Sequence, residues 1–158
     1  MPNWCDNSLV LGNKDVSKID AFQNHLEEGK DIFEGLRPNP DIEWSYAWCC
    51  ENWGTKWDAT SSDWEREDDT IRLSFDTAWC PPIELYQYLV TEGWEVEASY
   101  LEEGMGFCGT FNNETGDSYY NYDISDLESI NKLPEDLICF GNLLERHYDY
   151  MDDQSDEI

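Results

Sequence analysis

The chain has 158 residues, 36 of them acidic and nine basic, for a formal net charge of −27. That field opposes direct binding to DNA, RNA or an anionic membrane surface, while eight Trp, nine Tyr and six Phe supply enough apolar area for one folded domain. No apolar run approaches the roughly 20 residues needed to span a bilayer, and the opening MPNWCDN lacks a signal-peptide pattern, so a cytoplasmic protein is expected.

Taken in chain order, WCDNSLVLG (4–12) reads as a short buried strand ending at Gly12. Asp15 or Ser17 then caps a helix in which Val16, Ile19, Phe22 and Leu26 recur at helical spacing, and Gly29 stops it. Residues 30–58 show no steady period, and LRPNP excludes a continuous helix or a central strand. An irregular segment of that length inside a small domain is more often functional than idle.

TIRLSF (70–75) places Ile71, Leu73 and Phe75 on one face of a strand, and SSDWERED (61–68) is expected to pair with it as a hairpin turning at Asp68-Asp69. PPIELYQYLVTEG is a second helix, opened by Pro82, striped by Ile83, Tyr86 and Leu89, and ended by Gly93. WEVEASY (94–100) alternates as a strand, and FCGTF (107–111) and YYNYD (119–123) are further strands. Pro134 opens a last helix carrying Leu137, Phe140, Leu144 and Tyr148, and residues 149–158 read as a solvated acidic tail.

The order strand, helix, strand, strand, helix, strand is the split βαβ arrangement. The expected fold is therefore α+β and ferredoxin-like, with an antiparallel sheet and helices on one face. It carries a long irregular insertion after the first helix and an extra C-terminal helix. One domain over 1–148, with an extension from about 112, precedes the tail.

NWGTKWDA (52–59) sets Lys56 between two tryptophans. In an enzyme, Lys56 would be a base or cation with its pKa lowered by burial and Asp58 as partner. In a structural knot, Gly54 permits the turn, Trp53 and Trp57 fold over the helices, and the Lys56 stem lies along indole with its ammonium on a carboxylate. No Ser, Cys or His nucleophile matched to a base stands nearby in sequence, which favours the knot of Trp53, Gly54, Lys56, Trp57 and Asp58. LEEGMGF (101–107) offers Glu102 and Glu103, which as strand neighbours point to opposite faces. Glu103 joining Asp58 or Asp76 would make a magnesium-like carboxylate site; otherwise it is solvated or pairs with Lys56. His25 and His147 have no catalytic context. Six cysteines with no C-x-x-C pair, and only two histidines, point to reduced thiols and no zinc, and no cofactor is expected.

The charge has a possible use. A compact chain of this length is roughly 40 Å across, and duplex DNA of that length carries about 23 charges. The excess is spread along the chain, with residues 1–111 net −16 and residues 112–158 net −11. Asp63, Glu65 and Glu67, on one face of a strand, would stand about 6.6 Å apart, near the spacing of successive phosphates. Asp68 and Asp69 extend the hairpin cluster, and Asp149, Asp152, Asp153, Asp156 and Glu157 form a second in the tail. The rival reading of both clusters is a solvated face.

MPNWCDNSLVLG, NWGTKWDA, FDTAWCPP (75–82) and YLEEGMGFCG (100–109), in that order, resemble the YubB ferredoxin-like domain family of phage and plasmid accessory proteins. The resemblance covers residues 1–111 and departs from the family at Cys80, where Ser is usual. It implies a ferredoxin-like fold and a mobile-element origin, and it brings no activity. The leading expectation is a non-enzymatic accessory protein that binds and inhibits a basic, nucleic-acid-handling host protein through Asp63, Glu65, Glu67, Asp68, Asp69, Asp149, Asp152 and Asp153. The alternatives are a small enzyme using Lys56, Asp58 and Glu103, and a purely structural accessory domain.

Overall fold

The structure, a computed structural model, describes residues 3–41, 43–60 and 63–156. Ser61, Ser62 and Glu157, which belong to expected elements, lie outside the described residues. The strands are β1 (Trp4–Asn13), β2 (Trp64–Glu67), β3 (Thr70–Ala78), β4 (Trp94–Glu102), β5 (Phe107–Asn112) and β6 (Gly116–Asn121). The helices are α1 (Val16–Glu27), α2 (Ile32–Leu36), α3 (Tyr46–Asn52), α4 (Ile83–Thr91), α5 (Leu127–Asn131), α6 (Glu135–Gly141) and α7 (Leu143–Asp156).

One antiparallel sheet runs in the order β2-β3-β1-β4-β5-β6. Its first four strands are the split βαβ order, with β1 between β3 and β4 and the helices α1 and α4 making the crossovers. The fold is α+β and ferredoxin-like, widened by the β5–β6 hairpin. Alternation along each strand separates two faces. Leu9, Leu11, Ile71, Leu73, Phe75, Val96 and Ala98 pack under Ile19, Phe22 and Leu26 of α1 and Leu85, Tyr86 and Leu89 of α4, forming the main core. Asp15 caps α1 by accepting from the Ser17 amide, as its spacing requires.

The segment after α1 differs from expectation. The segment 30–58 is not irregular throughout: it folds into α2 and α3, too short for a sequence period to register, and Ile32, Phe33, Leu36 and Cys49 join the main core. The crossover helices α1 and α4 share one face as expected, and the C-terminal helices cover the other. Leu101 and Cys108 point away from the main core into a second one with Ile130, Leu133, Leu137 and Leu143 of the C-terminal segment.

The single helix expected from Pro134 is broken at Asn142, which is left-handed (φ 51°), so α6 and α7 are separate. Phe140, Leu144 and Tyr148 are consequently exposed rather than striped along a core. Residues expected as a frayed tail are helical as far as Asp156.

Candidate functional site

The four quoted sequence blocks converge on one end of the sheet. At the end of β3 the chain makes a tight three-residue turn, in which the Cys80 amide donates to the Ala78 carbonyl at 2.9 Å. The central residue, Trp79, has φ 73°, a left-handed conformation costly for a bulky side chain. The surroundings fix it in place. The Trp79 amide donates to the Asn3 carbonyl at 2.8 Å. The Thr77 hydroxyl donates to the Cys80 carbonyl at 2.7 Å and accepts from the Asn7 amide group at 2.9 Å.

This clamp turns the Trp79 indole outward. Lys56 lies over it, its ammonium 5.1 Å from the ring centre, a cation–π arrangement. Trp57 meets Trp4 edge to face at 6.4 Å, so Trp4, Trp57 and Trp79 share one exposed aromatic end. Gly54 (φ 83°) makes the supporting turn, where an added Cβ would come within 3.1 Å of the Glu84 amide nitrogen. The Cys80 thiol donates to the Gly54 carbonyl at 3.1 Å and ties the second block to the third.

Glu102 anchors the fourth block. Its buried carboxylate accepts from the amides of Gly104 at 2.5 Å and Met105 at 3.0 Å, and Gly104 packs on the Asn3 side chain. Met105 stands exposed beside this end. Sequence alone left Glu102 without a role. The signal was its position two residues before Gly104, in reach of the turn amides.

Residues 52–136, more than half the chain, match the ferredoxin-like domain in Api92-like protein. The chain belongs to that family. No curated protein and no solved structure matches it. The matched ferredoxin-like domain starts at Asn52, in the block that carries Lys56, and runs through β2–β6, α4 and α5. Residues 112–136, which the sequence blocks left out, are therefore part of the Api92-like domain.

Within this Api92-like domain, Asp58 does not serve Lys56. Its carboxylate accepts from the amides of Phe33 (2.7 Å), Glu34 (2.9 Å) and Ala59 (2.7 Å), capping α2 from a distant part of the chain. Burial pushes its pKa up to about 6, against the pull of those three amides. Glu103 pairs instead with Arg146 of α7 at 3.0 Å. Asp76 lies opposite Asp6 across β1 and β3, and burial, then the facing carboxyl, raises the Asp6 pKa. Lys56, Asp58 and Glu103 are thus not assembled as one site. Among the described residues, no group of three or more His, Cys, Asp and Glu could hold a metal ion.

The hairpin acids lie together on one face. Asp63, Glu65 and Glu67 are exposed on the sheet face opposite the main core, with Asp68 (φ 54°) and Asp69 at the turn. Arg66, on the other face of β2, reaches Asp20 and Gln23 of α1 and clips the hairpin down. The register carries the row from Glu65 through Arg72 and Val10 to Glu97, and the next from Glu67 through Thr70 and Gly12 to Glu95. Two carboxylate lines therefore flank this open face about 14 Å apart, three strand spacings. Asp149, Asp152 and Asp153 are exposed on α7, ordered on a helix rather than on a tail.

Both histidines have structural positions. His25 Nε2 donates to the Asp31 carbonyl at 2.6 Å, and His147 is buried with Nδ1 donating to the Ile124 carbonyl at 2.6 Å. The six cysteines are free thiols. Among the described residues, no helix is long and apolar enough to cross a membrane.

Proposed function

We propose that this protein is a binding module that docks on a basic, nucleic-acid-handling protein and blocks its nucleic-acid cleft. The YubB resemblance supports reading it as a phage or plasmid accessory protein that works in the host cytoplasm. The observation that carries this reading is the outward Trp79, held at φ 73° beside Trp4 and Trp57. Strain of this kind persists only where surrounding structure enforces it, and it clusters at functional positions. Rigid, exposed tryptophans are the side chains that anchor protein interfaces.

The charge of −27 selects the partner's sign and speeds encounter. The two carboxylate lines on the sheet supply ordered negative charge where phosphates would otherwise lie. Glu65 and Glu67 on one strand face stand about 7 Å apart, close to the phosphate repeat along one nucleic-acid strand.

The test is a competition titration. A basic protein captured from host lysate should lose affinity steeply as salt rises, and duplex DNA or RNA should displace this chain from it. Reversing the charge of Asp63, Glu65 and Glu67 together should weaken binding about tenfold or more in low salt and less in high salt. Failure of nucleic acid to compete would refute occupation of a nucleic-acid cleft.

A further inference from the structure

A cavity of about 540 Å³ opens beside α2, between the first helix and the NWGTKWDA turn. Three of its walls are indoles: Trp44, Trp53 and Trp57. Trp44 is 63% exposed, meets Tyr46 edge to face 6.5 Å away and lies outside the main core. Trp53 is fixed by its indole N–H, which donates to the Arg37 carbonyl at 3.0 Å. Trp57 is steadied by its edge contact with Trp4.

The remaining walls include three carboxylates, Asp31, Glu34 and Asp58, against one lysine, Lys30. Lys30 is already paired with Glu28 at 2.6 Å. His25, also on the wall, spends its Nε2 hydrogen on the Asp31 carbonyl. The cavity thus combines indole side chains with surplus negative charge. Aromatic faces attract a cation most when it sheds its water easily. Guanidinium is planar, stacks on indole and is more weakly hydrated than ammonium.

We propose that this cavity is a receptor for an arginine side chain, presented by the basic protein partner. The identity of the occupant rests on the binding reading above, whereas recognition of the guanidinium group rests on the cavity itself.

N-acetyl-arginine amide is the probe, and N-acetyl-citrulline amide, its uncharged counterpart of nearly the same shape, is the control. Both are titrated into the ¹⁵N-labelled full chain at pH 7.5 while the eight indole N–H resonances are followed. The arginine compound should shift the Trp44 and Trp57 signals saturably, and the citrulline compound should bind about tenfold more weakly or worse. Trp44→Ala should weaken arginine binding at least about fivefold. Glu34→Gln, which keeps an acceptor for the Asn39 amide, should weaken it while leaving the far-ultraviolet spectrum unchanged.

Equal response to citrulline, or unsaturated shifts spread over all indoles, would overturn the assignment by showing diffuse attraction to an acidic protein. Saturable arginine binding in a chain with no nucleic-acid-displaced partner would support the cavity and refute the inhibitor reading. A partner that competes with nucleic acid yet ignores both substitutions would support the inhibitor reading and overturn the cavity's role.

Discussion

The indole N–H of Trp53 donates to the Arg37 carbonyl at 3.0 Å, and the Arg37 guanidinium returns a bond to the Asn52 carbonyl at 3.0 Å. This reciprocal clasp closes the segment holding α2 and α3 onto itself. The same guanidinium lies 4.2 Å from the Tyr88 ring centre, so the clasp also grips α4. Trp53 packs edge to face on Phe33 and Trp48 and is 3% exposed, whereas Trp57 is 39% exposed. Trp53→Ala should therefore cost about 3–5 kcal/mol of stability, and Trp57→Ala less than about 1.5 kcal/mol. Urea unfolding of the two variants measures the difference, and equal losses would contradict it.

Trp79 separates stability from binding. Trp79→Gly removes the indole and relieves the φ 73° conformation, so stability should hold or rise by about 1 kcal/mol. Partner affinity should nevertheless fall at least about tenfold. Lys56→Met keeps an apolar stem along Trp79 and should change stability by less than about 1 kcal/mol. Its partner binding should stay nearly intact. Loss of biological activity in Lys56→Met at unchanged melting temperature would instead favour an enzyme.

Asp58 makes stability depend on pH in a direction opposite to that of most paired carboxylates. Its folded pKa of about 6 lies above the ordinary 3.8, so the folded chain holds this proton more tightly than the unfolded chain. Stability should then fall as pH rises from about 4 to about 6 and level off above, by roughly 3 kcal/mol. Asp6, raised by burial and by Asp76, adds in the same direction. The difference between wild type and Asp58→Asn isolates Asp58: the variant should show a flatter pH slope in thermal melts between pH 4 and 7. An unchanged slope would mean that the three capping amides cancel the effect of burial.

Thiol reactivity should rank by burial. Burial pushes the Cys5 thiol up to about 12 and the Cys108 thiol up to about 11, while Cys139 is exposed on α6. A thiol-specific chromogenic reagent should label Cys139 first in the native chain and all six cysteines after denaturation. Elemental analysis should find no stoichiometric zinc. Fewer than six thiols, or one zinc per chain, would refute the reduced and metal-free state.

The sequence by itself determined the strands, the two crossover helices and the ferredoxin-like order, because period-2 and period-3.6 patterns are local properties of contiguous residues. It also determined the acid row of Asp63, Glu65 and Glu67, since alternation on one strand needs no distant partner. The tertiary structure decided the rest. Asp58 and Lys56 stand two residues apart, yet one caps α2 and the other lies on Trp79. Helices of five and seven residues, such as α2 and α3, are too short to show a period and form because Ile32, Phe33 and Cys49 find the main core. The left-handed Trp79 runs against its residue's preference, and a contact from a distant segment, the Asn3 carbonyl, helps hold it there. Local patterning fixes which segments become strands and helices, whereas the roles of single side chains depend on neighbours that meet only after the sheet has formed.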